Sequence, residues 1–163
     1  KDAGAELVFL PIYYQEASVI LKQAADKEFA PTFFGCDGMD GILTVENFDK
    51  SLAEGLMLLT PFSTTEEGSE EFTKSYTDAY GVEPIQFAAD SYDAVYAIKA
   101  AAEKAGITAD MSVSDMCDAM ETAMTEITIQ GLTGADMSWN ANGEPNKAPK
   151  AAKIVDGIYE MEK

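Results

Sequence analysis

Val8–Gly41, VFLPIYYQEASVILKQAADKEFAPTFFGCDGMDG, decides the fold. Leu7–Leu10 is a short apolar run of the kind buried in a parallel sheet. From Gln15 the period changes, and Ala17, Ile20, Leu21 and Ala24 fall on one helical face. Pro31 opens a second apolar run, Thr32–Phe34, which stops at the glycine-flanked turn Gly35–Gly38. The order strand, helix, strand predicts a βαβ unit, and therefore an α/β fold. Its two strand ends place Tyr13 and Asp37 on the same rim of the sheet, outside the carboxyl ends where ligands of open α/β sheets bind. An aromatic ring and a carboxylate there suit a small molecule with a positive charge and an apolar body.

The rest of the chain continues in the same style. Asn47–Ala53 reads as a short helical stretch and Gly55–Thr60 as an apolar strand that Pro61 ends. Ser63 and Glu66 have capping-box spacing, but Ser69 is the better N-cap for a helix with Phe72, Tyr76 and Tyr80 as its buried stripe. Gly81 closes that helix in the C′ position. The longest helix is predicted from Ile85 or Gln86 to Ala105, with Tyr92, Val95, Ile98, Ala102 and Ala105 on its buried face. Another follows Ser112, stacking Val113, Met116, Met120 and Met124 into the core. Ile127–Ile129 and Leu132–Met137 read as extended. Asp156-Gly157 between two β-prone runs predicts a two-residue hairpin.

Composition excludes several function classes. The 163 residues suffice for a domain with a real core. A formal net charge of −18 argues against nucleic-acid binding, which needs clustered Lys and Arg. Histidine is absent from the sequence, which removes Ser-His-Asp and Cys-His catalysis and His-ligated zinc. Cys36 and Cys117 have neither metal-ligand spacing nor a CxxC motif, so they are read as unlinked thiols or as one disulfide. Ser138, Asn140, Asn142 and Gly143 echo a calcium loop, but the residue six after the glycine is Pro149 rather than the required Glu. No run has the length of a transmembrane helix. The reading calls for no cofactor, no metal and no catalysis.

The motifs Pro11–Tyr14, Lys22–Ala24 and Phe34–Gly38, in this order, resemble those of the type I periplasmic substrate-binding proteins of ABC transporters, in particular the branched-chain amino-acid binding group. The likeness continues through Glu54–Leu59, Phe72–Gly81, Ala88–Gly106 and Gly131–Pro145, and covers only the second half of the family's usual length. It implies two Rossmann-like lobes joined by crossing strands, with a ligand trapped between them. By that likeness residues 1–54 are a second-lobe βαβ segment, 55–61 a crossing strand, 62–127 a first-lobe helical segment, and 128–163 the hinge return and C-terminal hairpin.

The resemblance also implies roles. Tyr13 would cover the ligand and Asp37 would pair its ammonium group, with Gly35 and Gly38 giving close backbone approach or positive φ. Cys36 departs from the small residue common at its position, and Asp37 is one methylene shorter than the glutamate of some members. The implied partners are an amino acid and a membrane permease, with an export signal and lipid anchor upstream and an extracytoplasmic location. The missing half, or self-association, would cover the helical stripes. A ligand-sensing domain of the same fold is the alternative role. A small hydrolytic α/β enzyme using Asp37 and Asp40 is the alternative from another class.

Overall fold

The computed structural model describes residues 1–162, which form two compact units. The first comprises Lys1–Gln86 and the residues from Pro149 onward, and the second Phe87–Ala148.

In the first unit β1 (Leu7–Leu10), β2 (Thr32–Gly35) and β3 (Met57–Leu59) run parallel, and α1 (Tyr14–Asp26) connects the first two. The C-terminal β4 (Ala151–Val155) adds antiparallel to β3, and β5 (Ile158–Met161) to β4. Spatial order therefore follows chain order, β1 to β5. β3 is shorter than the expected strand, yet bonds from Gly55 N–H to the Ile154 carbonyl and from Thr60 N–H to the Lys150 carbonyl carry its pairing across the expected span.

The register sorts side chains onto two faces. Val8, Leu10, Phe33, Leu58, Ala152, Ile154 and Tyr159 share the covered face and pack with Ala17 and Leu21 of α1 around Met39 and Ile42. Leu7, Phe9, Phe34, Met57 and Ile158 lie on the other face, where Leu7 is 60% exposed and Phe9 53%. Phe9 and Phe34 stack there at 6.0 Å between centroids. The hairpin forms as predicted, with Asp156 at φ 52° and Gly157 at φ 76° giving the two left-handed residues of a tight turn.

Three local expectations are corrected in this unit. Only Lys50–Ala53 is helical in the 47–53 stretch, because Asn47 at φ 59° breaks it and the Asp49 carboxylate caps the remainder by accepting from Ser51 N–H at 3.0 Å. Ser69 precedes α2 (Glu70–Tyr80) but does not cap it. Its hydroxyl turns back to donate to the carbonyls of Thr64 and Glu66, while Glu66 pairs with Lys150 at 2.5 Å instead of completing a capping box. The α2 stripe is not buried: Phe72 and Tyr76 are half-buried and Tyr80 is exposed. Gly81 closes the helix at φ 74°, as the sequence indicates.

α3 (Gln86–Ala105) has the predicted length but buries another face. In the second unit its buried residues are Ala89, Asp93, Ala97 and Ala101, whereas Tyr92, Val95 and Ile98 are exposed. α4 (Val113–Met124) starts at Ser112, whose hydroxyl oxygen accepts from Asp115 N–H at 3.2 Å. Met120 and Met124 pack with Ala97, Ala101, Ala123, Ile127 and Met137, while Val113 points to solvent. Among the described residues the expected extended segments pair only at Ile129 with Met137. Asp93 accepts from Leu132 N–H at 2.9 Å and from Thr133 N–H at 2.8 Å, which fastens that loop to α3 inside the unit. Asn140 shapes the 140–144 turn by accepting from Asn142 and Glu144 N–H groups, a polar turn where the calcium echo lay.

Candidate functional site

The rim of the first unit's sheet is built by two strand-to-turn transitions. After β1 the chain passes Pro11 and reaches Tyr13, which holds extended angles (φ −84°, ψ 159°) at the N-cap of α1. The Tyr13 ring is 63% exposed. After β2 a single helical turn, Asp37–Met39, leaves Asp37 exposed and buries Gly38 and Met39. The two transitions touch through Gly38. A Cβ there would stand 3.0 Å from the Ile12 carbonyl oxygen and 3.2 Å from the Tyr13 ring. The structure thus brings Tyr13 and Asp37–Gly38 together at one rim.

Gly35 serves a different purpose. A Cβ there would lie 2.7 Å from Met39 Cβ, so its bareness lets Met39 fold back over the strand end. Neither Gly35 nor Gly38 has positive φ, which corrects that alternative for both. The left-handed glycine of this segment is Gly41 (φ 108°), packed against the Tyr14 ring.

Beneath the rim lies a buried polar network. Asp40 is 3% exposed, and its carboxylate accepts from Gln86 N–H at 2.8 Å and from the Thr60 hydroxyl at 3.4 Å. Burial raises its pKa above the ordinary carboxylate value, against the lowering effect of the Gln86 and Thr60 hydrogen bonds and of the neighbouring Gly41 N–H and Tyr159 hydroxyl. The Tyr159 hydroxyl accepts from Gly41 N–H at 3.2 Å, and burial followed by the nearby Asp40 charge pushes its pKa upward. Gln86, 1% exposed, donates its side-chain amide to the Asp37 carbonyl. A cavity of about 310 Å³ opens beside this network, lined by Asp40, Phe62, Ser63, Ile85 and Tyr159 among others; neither Tyr13 nor Asp37 lines it.

Sequence reading missed Gln86, Thr60 and Tyr159 as partners of this turn. The one signal the sequence carries is the second aspartate of DGMDG. In the structure the Asp40 carboxylate is engaged by backbone and hydroxyl donors. Cys36 is half-buried, Cys117 is exposed, and both thiols are free. Among the described residues no group of three His, Cys, Asp or Glu is placed to hold a metal ion. No described helix is long and apolar enough to cross a membrane.

Open α/β sheets take small molecules outside the carboxyl ends of their strands, the rim that carries Tyr13 and Asp37 here. Residues 1–157 match the family described as periplasmic binding protein, and the chain belongs to that family. It is 30% identical to a Leu/Ile/Val-binding protein homolog 2 of Brucella abortus over 98% of this chain and 42% of the relative. The chain thus spans less than half of that relative's length. Among solved structures it resembles LivJ of Streptococcus pneumoniae, a branched-chain amino acid transporter substrate-binding protein in complex with isoleucine. That match has 25% identity and a TM-score of 0.72 over 95% of this chain and 43% of the other. A leucine-binding protein, LivK of Thermotoga maritima, shares the fold at a TM-score of 0.76, with 22% identity over 97% and 44% of the two chains. The fold is that of the type I periplasmic binding proteins, represented here by part of its length.

Proposed function

We propose that this chain is part of an extracytoplasmic solute-binding protein that captures an amino acid of branched-chain type and delivers it to an ABC permease. The observation that carries the reading is the contact of Tyr13 with the Asp37–Gly38 turn at the open rim. Asp37 pairs the ligand's ammonium group, and the Tyr13 ring covers its apolar body. The carboxylate penalises ligands without that charge, since closure around them leaves it unpaired. The names of the relatives and the isoleucine in the similar solved structure support the same class.

In this reading residues 1–54 and the C-terminal hairpin belong to the second lobe, 55–61 cross between lobes, 62–127 belong to the first, and the return through 128–148 packs with 87–127 in one unit. Ligand binding closes the lobes, and the closed form docks on the permease. No chemical step is involved. A hydrolytic role for Asp40 is disfavoured because its carboxylate is buried and already accepts from Gln86 and Thr60.

The test is calorimetric titration of L-leucine and L-isoleucine into the complete protein and its Asp37→Asn variant. Asn keeps the shape and removes the charge, so affinity falls by roughly 10-fold or more, the worth of one charge-assisted hydrogen bond. Equal binding by the variant rejects an ammonium at that site and turns the search to sugars, amides or organic acids.

A further inference from the structure

Gln86 is an unusual residue for its place. It is among the largest fully buried side chains, yet it carries a primary amide. Its backbone N–H goes to Asp40 and its side-chain N–H to the Asp37 carbonyl, so one residue grips both ends of the 37–40 turn. The other half of the amide is unmatched: Gln86 Oε1 is buried and accepts from no group among the described residues. An amide oxygen shares its carbon with the amide nitrogen, and here that nitrogen sits on the Asp37 carbonyl. The orphan acceptor therefore lies next to the residue proposed to pair an ammonium. Native interiors seldom leave such an acceptor empty, and a buried water commonly satisfies it.

We propose that Gln86 is a specificity-determining positioning residue for ligands that carry an N–H donor. Its side-chain amide fixes the main chain of Asp37, and with it the direction in which that carboxylate faces. Its Oε1 is buried behind the turn, so Gln86 acts through Asp37 and not by touching the ligand. This rests on the reading of Asp37 as the ammonium partner.

The experiment uses the complete protein and two probes of matched shape, L-leucine and 4-methylpentanoate, which lacks the ammonium group. Titrations are run on the parent, Gln86→Met, Gln86→Asn and Asp37→Asn. Gln86→Met keeps the length and backbone N–H but removes both amide groups. Gln86→Asn keeps a polar side chain but shortens it by one methylene, so it serves should the methionine variant fail to fold. Both should weaken L-leucine by about 10-fold while moving 4-methylpentanoate by less than about 3-fold. Equal losses for the two probes would make Gln86 a merely structural residue, and no loss for either would make it irrelevant; each overturns the proposal. Asp37→Asn reports separately on the underlying reading. If it leaves the ratio of the two affinities unchanged, that reading fails and the Gln86 proposal with it. If it shifts the ratio and the Gln86 variants do not, the Gln86 proposal alone fails.

Discussion

Gly41 N–H donates to the Tyr159 hydroxyl at 3.2 Å and so seats Tyr159 beside the buried Asp40 carboxylate, beneath the turn that presents Asp37. The pair joins the carboxyl end of β2 to the last strand of the chain. Because burial raises the Asp40 pKa, the folded state holds its proton more readily than the unfolded chain does. That contribution to stability is fully present below the ordinary carboxylate value of 3.8 and is lost as pH rises through the higher folded value. Asp40→Asn should remove this component. Urea midpoints measured across the acid range will fall less steeply with rising pH in the variant than in the parent, and parallel profiles would show that Asp40 does not titrate with folding.

Tyr13 is expected to act through its ring. Tyr13→Ala in the complete protein should weaken an amino-acid ligand through lost packing, whereas Tyr13→Phe keeps the face and should cost less than about 3-fold. Calorimetry on the two variants separates ring from hydroxyl. A large loss with phenylalanine would assign the contact to the hydroxyl.

The two rim glycines should fail differently. At Gly35 a methyl group collides with Met39 in the core, so Gly35→Ala should destabilise by about 1–3 kcal/mol, read as a lower denaturation midpoint. At Gly38 the methyl group meets the exposed Tyr13 ring and the Ile12 carbonyl. Gly38→Ala should therefore displace Tyr13 and weaken ligand binding more than it lowers the midpoint.

The bare sheet face carrying Leu7, Phe9, Phe34 and Ile158 favours association of this chain taken alone. Sedimentation velocity should show concentration-dependent self-association of the 163-residue chain, reduced by Phe9→Lys. A monomer at every concentration would show that the face tolerates water.

The βαβ frame was legible because its signals are local. Leu7–Leu10 and Thr32–Phe34 are apolar runs, and Ala17, Leu21 and Ala24 recur at helical spacing. The hairpin was legible in two residues, Asp156 and Gly157. The buried side of α3 was not, since bulk drew attention to Tyr92, Val95 and Ile98 while the helix buries Ala89, Ala97 and Ala101. The rim was half legible. Tyr13 and Asp37 sit at strand ends that sequence locates, but Asp40 finds its partners 20 and 46 residues away, a relation no local pattern encodes.

The place of β3 in the sheet has a consequence for synthesis. It is flanked by β2, made just before it, and by β4, made about ninety residues later. On a ribosome adding 5–20 residues per second, the edge of β3 waits roughly 5–20 s for its second neighbour. Through that interval the nascent chain displays an unpaired apolar edge, open to trapping by other chains or to shielding by a chaperone. The first unit is therefore finished after the segment that interrupts it, and a chain released early, before Ala151, would leave an open edge rather than a smaller sheet.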